Sequence, residues 1–145
     1  MAKEFIYNVS LNWDEGRRGT LGSPELDEKI EVATPPEFEK GVEGVWSPEH
    51  LFISAVSSCL MTTFLSMADF SKLKFASFSC DAIGTLGKME NKFAVDKIVL
   101  KPVLVIKDEK DAEKAERLLH KAEKACLITN SIKTEILFDP KIEIE

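Results

Sequence analysis

The feature that most constrains this chain is an uncharged run of 18 residues, Leu51 to Ala68. A run of that length must be buried, and it lies at the lower edge of what crosses a bilayer. Burial inside protein is favoured, because the run holds six hydroxyls: Ser54, Ser57, Ser58, Thr62, Thr63 and Ser66. No cluster of Lys or Arg adjoins either end, as a membrane anchor would require. Ser47-Pro48-Glu49 just before it is a helix start. Serine caps, proline takes the first helical position, and glutamate favours the positive end of the helix dipole. The pattern predicts a helix from Pro48 to about Asp69. Its apolar residues lie on nearly every side, which predicts a central helix rather than a surface one.

The flanking segments read as strands and one further helix. Phe5, Tyr7, Val9, Leu11 and Trp13 alternate with mostly polar residues, the pattern of a half-buried strand. Asp14 to Gly19 is a turn, Thr20-Leu21 opens a returning strand, and Lys29–Thr34 forms a third. Pro35 to Trp46, with two prolines and two glycines, is a loop. Two strands follow the long helix, Lys74–Leu86 and Phe93–Ile106, with Gly87, Met89, Glu90 and Asn91 in the turn between them. Pro102 predicts an edge position or a bulge in the second. Asp108–Cys126 is an amphipathic helix with Ala112, Ala115, Leu118, Leu119 and Ala122 inside. A last strand carries Ile132, Thr134, Ile136 and Phe138. Strands, long helix, strands, helix and strand make an α+β chain rather than a doubly wound sheet.

At 145 residues, the chain is read as one domain, residues 1–145. The 19 basic and 25 acidic residues leave a net charge of −6. That balance argues against nucleic acid and anionic membranes as partners. Cys59, Cys80 and Cys126, spaced by 21 and 46 residues, match neither a secreted disulfide framework nor a zinc pattern. A polar N-terminus without a signal-peptide core adds to the expectation of a cytoplasmic protein.

Chemistry rests on thiols and their surroundings. A reactive cysteine needs its thiolate, which positive potential stabilises. Cys126 falls at the negative end of its helix dipole, and Cys59 lies far from either end of its helix. A cation for Cys59 must therefore come from elsewhere. The three arginines are Arg17, Arg18 and Arg117, and Arg117 is half a turn round its helix from Cys126. Arg17 and Arg18 sit in a glycine-flanked turn that can present a guanidinium to a site. Glu49 is ten residues before Cys59, roughly 15 Å along one helix axis. If both serve one site, Glu49 arrives from an antiparallel second copy of the helix, and a symmetric dimer makes two such sites. Cys80, in a strand, reads as core. His50 and His120 have no partner at metal-ligand spacing.

Ser47-Pro48-Glu49-His50-Leu51-Phe52, followed by Ser57-Ser58-Cys59, resembles the asparagine-proline-glutamate…alanine-cysteine helix of the OsmC/Ohr family. These are the osmotically induced and organic hydroperoxide resistance proteins. The ten-residue step from glutamate to cysteine matches. So does a second cysteine, Cys126, at the end of the next long helix. The Arg17-Arg18-Gly19 turn sits where the family carries its active-site arginine. The chain differs in having Leu127 where the family usually has proline, and Ser47 where it has asparagine.

The resemblance implies an OsmC-like α+β fold, with antiparallel sheets wrapped around long central helices in an intertwined homodimer. It implies reduction of alkyl or fatty-acid hydroperoxides by Cys59, the peroxidatic thiolate, with Cys126 condensing onto it to form an intramolecular disulfide. One of Arg17 or Arg18 would stabilise the thiolate and the peroxide anion, held in turn by Glu49. An external dithiol, a lipoylated protein in some members, would reduce the disulfide, and no metal, flavin or haem is implied. Two other readings are a redox-sensing or ligand-binding relative without efficient turnover, and a hot-dog-type thioesterase. The thioesterase needs a carboxylate near the middle of the long helix. Here the nearest, Glu49 and Asp69, lie at its ends.

Overall fold

A computed structural model describes residues 3–145, which fall into two compact units, one up to Leu51 and the other Phe52–Glu145. In the first unit, β1 (Ser10–Glu15), β2 (Arg18–Ser23) and β3 (Leu26–Ala33) form an antiparallel meander. The β1–β2 turn reverses at Gly16, whose φ of +51° is left-handed and suits glycine. The Trp13 indole N–H donates to the Gly16 carbonyl at 3.0 Å and closes it. A side chain on Gly19 would press on the Asn12 carbonyl of β1 at 2.9 Å.

The first strand departs from expectation. It begins at Ser10, so Phe5, Tyr7 and Val9 precede it, and all six residues of β1 are exposed. Alternation gives a strand an apolar face, but that face is buried only where another layer covers it, and among the described residues of this unit none does.

The long helix starts as its sequence predicts. α1 covers Pro48–Phe70. The buried Ser47 caps it, its hydroxyl accepting from the His50 N–H at 3.1 Å and its carbonyl from the Leu51 N–H at 3.0 Å. Ser47→Ala removes that acceptor, with an expected loss of about 1 kcal/mol of stability in denaturant unfolding. By length and composition α1 is apolar enough to cross a membrane. Its buried residues are Val56, Leu60, Phe64 and Ala68. Met61, Leu65 and Phe70 are exposed. Within one chain the buried residues form a single stripe at four-residue spacing, because one sheet covers one helix face.

In the second unit, β4 (Phe75–Met89) and β5 (Lys92–Ile106) make a long antiparallel hairpin. Its turn is Glu90-Asn91, both with positive φ, so β4 continues three residues beyond the predicted end. β6 (Glu135–Phe138) and β7 (Lys141–Ile144) both pair with β5 in parallel, making this sheet mixed. β7 was not foreseen, and Ile132 and Thr134 precede β6. Pro102 lies in this inner strand, not at an edge. The β6 ladder ends opposite Leu100 and the β7 ladder starts opposite Val103, so Pro102 falls in the gap between them. After β5, a 3₁₀ turn at Glu109–Asp111 leads into α2 (Ala112–Ala125). Ala115, Leu118, Leu119 and Ala122 of α2 join the α1 stripe and Ile98, Leu100, Leu104 and Ile106 of β5 in one core.

Candidate active site

Cys59 and Cys126 come together in the second unit. Cys59 lies one residue before the buried Leu60 on α1, which leaves it half-buried at the margin of the core. Thr63, one turn along, places its hydroxyl 3.9 Å from the Cys59 sulfur. Cys126 is the C-cap of α2, where ψ turns to 118° and the chain leaves the helix. Its side chain is buried. The Asn130 N–H donates back to the Cys126 carbonyl at 3.0 Å and folds Leu127–Asn130 into a tight turn. The leading N–H groups of such a turn have no partner inside it and are free to serve an acceptor elsewhere.

For Cys59 such N–H groups are among the causes of a lowered pKa. Burial raises its pKa, but donors outweigh burial: the Ile128 N–H, the Cys126 thiol, the Thr63 hydroxyl and the Leu127 N–H. The net shift is downward. For Cys126, burial is the largest effect and raises the pKa, with the hydroxyl and N–H of Thr129 opposing it. The neighbouring Cys59 raises it further, both as a hydrogen-bond partner and as a charge. The two thiols thus diverge: Cys59 ionises first and Cys126 keeps its proton to donate. A nucleophile beside a second thiol is an arrangement that can form an intramolecular disulfide.

The remaining predicted site residues belong to the first unit. Arg17 is exposed at the tip of the β1–β2 turn, and Arg18 opens β2. The Arg18 guanidinium pairs with Glu31 at 3.1 Å. Both arginines line a cleft of about 280 Å³ with Trp13, Val32, Thr34 and Pro48. Glu49, next to Pro48, has its Oε1 buried with no partner among the described residues.

Cys80 pairs opposite Pro102 in the β4–β5 ladder, and burial raises its pKa, as suits a structural thiol. His50 bonds to the Ser47 hydroxyl at 2.6 Å, and His120 packs edge-on to Phe138 at 5.2 Å. The donors around Cys59 were missed in the sequence. Thr63 carried a usable signal, its i+4 spacing from Cys59 on one helix face. The Leu127 and Ile128 N–H groups carried none, because any residue except proline supplies one.

The chain is similar to known proteins in sequence and in fold. The family described as OsmC-like protein matches residues 41–141. The uncharacterized protein YmaD of Bacillus subtilis (strain 168) is 26% identical over 140 residues, covering 94% of this chain and 91% of YmaD. The structure of an OsmC-like protein from Vibrio cholerae O1 biovar eltor superposes with a TM-score of 0.86 at 27% identity, covering 94% of this chain and 99% of that one. An organic hydroperoxide resistance protein from Elizabethkingia anophelis shares the fold with a TM-score of 0.77 at 21% identity over 100% of both chains. The family match spans well over half of the sequence, and the chain belongs to the OsmC-like protein family.

Proposed function

We propose that this protein is a thiol-dependent reductase of organic hydroperoxides. The observation that carries the reading is the Cys59–Cys126 pair: two adjacent thiols, one favoured as an anion by surrounding donors and the other held protonated. The Cys59 thiolate attacks the terminal peroxide oxygen. The O–O bond breaks, Cys59 becomes a sulfenic acid, and the alkoxide takes a proton and leaves as alcohol. Cys126 then condenses with the sulfenic acid, releasing water and forming the disulfide. An external dithiol, such as a lipoylated protein, restores both thiols by exchange. The similar fold in proteins named for organic hydroperoxide resistance supports the substrate class.

In the same reading, one of Arg17 or Arg18 stabilises the anionic sulfur and peroxide, and Glu49 orients it. The unpartnered Glu49 Oε1 suits a group that finds its partner in the assembled protein. The exposed apolar residues of β1 and α1 suit an intertwined homodimer, which we place in the cytoplasm.

Turnover of cumene hydroperoxide with a dithiol tests the proposal. A depressed thiol pKa means that the reactive form persists as pH falls, until pH drops through that lowered value. The rate should therefore stay on its plateau below the pH at which an ordinary thiol has lost it. Peptide-resolved alkylation should show Cys59 reacting at lower pH than Cys126. An absence of turnover with both thiols still reduced would overturn the reading.

One observation favours a second reading, a redox sensor without efficient turnover: the Arg18 guanidinium is already neutralised by Glu31. Peroxide-driven disulfide formation that a dithiol does not recycle would select it.

A further inference from the structure

The far end of α1 is held by a side chain of α2. α1 closes in a turn where the Leu73 N–H donates to the Ala68 carbonyl at 2.9 Å and the Lys72 N–H donates to the Asp69 carbonyl at 3.1 Å. Lys72 takes the left-handed φ of +58° that this ending requires. The Ser71 carbonyl receives no donor from that turn. The last turn of α1 has no basic residue and carries Asp69, an acid at the negative end of the dipole. Lys114, 43 residues away on α2, supplies both the cation and the donor: its Nζ donates to the Ser71 carbonyl at 2.6 Å. Lys114 is half-buried, whereas Lys121 and Lys124 of the same helix are exposed.

The place of this clasp bears on the sulfurs. Cys59 and Ser71 are twelve residues apart, and so are Lys114 and Cys126. At the helical rise each stretch is about 18 Å long. α1 and α2 therefore run antiparallel, with equal spans between the Lys114–Ser71 hydrogen bond at one end and the sulfur pair at the other. Between the two ends, Leu60 and Phe64 of α1 share the core with Leu118 and Leu119 of α2. Apolar burial is non-directional and leaves a helix free to slide or tilt, whereas a hydrogen bond fixes its register. Reaction between two held groups is sensitive to displacements of about 1 Å.

We propose that Lys114 is a positioning residue for disulfide formation: its bond to the Ser71 carbonyl sets the register of α2 along α1 and so brings Cys126 to Cys59. It touches neither sulfur and acts through its helix. The proposal rests on the hydroperoxide-reductase reading. In the step it assists, the S–S bond forms while the Cys126 S–H and the Cys59 S–O bonds break, and the proton and hydroxyl leave as water. The Cys126 sulfur is oxidised and the Cys59 sulfur is reduced, the hydroperoxide having supplied the oxidising equivalents in the preceding step.

The test compares the unaltered protein with three variants. Lys114→Met keeps an unbranched stem and removes the donor, and Lys114→Arg keeps a cationic donor. Lys121→Met removes the same charge from an exposed position of α2. After one equivalent of cumene hydroperoxide, dimedone capture should show the Cys59 sulfenic acid forming at the same rate in all four proteins. Disulfide formation should slow about tenfold in Lys114→Met and keep its rate in the other two. Equilibration with dithiothreitol, starting from protein oxidised by diamide, should show the Lys114→Met disulfide about tenfold easier to reduce, about 30 mV in potential. A residue that only stabilises the fold would leave that equilibrium in place. An unchanged equilibrium in Lys114→Met overturns the proposal, as does an equal shift in Lys121→Met or a Lys114→Arg variant that behaves like Lys114→Met. If no sulfenic acid forms on Cys59 in any of the proteins, the reductase reading fails, and the dithiothreitol equilibrium still decides whether Lys114 holds the two sulfurs together.

Discussion

If the protein reduces hydroperoxides as proposed, replacing Cys59 with serine should lower turnover by at least about a thousandfold, because a hydroxyl near neutral pH is a far poorer nucleophile than a thiolate. The loss comes from chemistry and not from folding: Cys59 is half-buried at the edge of the core, and serine occupies similar space. Cys126→Ser has a different outcome. There the proposed mechanism predicts that the first oxidation proceeds and Cys59 sulfenic acid accumulates, trapped by dimedone, while dithiol-driven turnover through the disulfide stops. Peroxide consumption monitored together with intact mass separates the two variants. Equal residual rates in Cys59→Ser and the unaltered protein would show that another group performs the chemistry.

The largest effect on stability is expected at Phe64, at the centre of the buried stripe of α1. Its side chain is fully buried. It stacks on Phe78 with centroids 5.4 Å apart and tilts against Phe75 at 5.7 Å. Phe64→Ala removes those contacts and leaves a cavity between helix and sheet, with an expected loss of about 3–5 kcal/mol in denaturant unfolding. A loss below about 1 kcal/mol would mean that the site collapses around the smaller side chain, and that α1 is not held to the sheet as described. The rate with which Cys59 is alkylated should rise in the same variant, since the helix that positions it is less firmly held.

The parts of the fold legible in advance were those encoded by local chemistry. Ser47, Pro48 and Glu49 state a helix start through capping, a fixed φ and charge, and α1 begins there. The inner stripe of α2 follows from the spacing of Ala115, Leu118, Leu119 and Ala122. What local chemistry does not encode is which second surface covers an apolar face. The alternation through Phe5, Tyr7 and Val9 records a capacity for burial, but not what lies opposite, and these residues are exposed and outside any strand. α1, apolar almost all round, is covered along one stripe within a single chain. Pro102 points to an edge or a bulge, whereas the gap between two short parallel partners satisfies it equally well.

The candidate site divides along the same line. Both thiols were legible as residue types at helical positions. Their relation to each other depends on how the chain turns after α2, which residue identities do not encode. The search for a cation near Cys59 followed from treating the thiolate as a charge needing a counter-charge. Within the second unit the groups that lower its pKa are neutral donors, the Ile128 N–H, the Cys126 thiol, the Thr63 hydroxyl and the Leu127 N–H. Leu127 in place of the family's usual proline is thereby given a physical consequence, since proline has no N–H to donate.

The most direct measurement is the peptide-resolved mass of the reduced protein after one equivalent of an organic hydroperoxide. The account predicts a single cross-linked species joining the Cys59 and Cys126 peptides, with Cys80 left as a free thiol and the cross-link reversed by a dithiol. Recovery of Cys59 and Cys126 as unlinked thiols, or oxidation confined to Cys80, would contradict it.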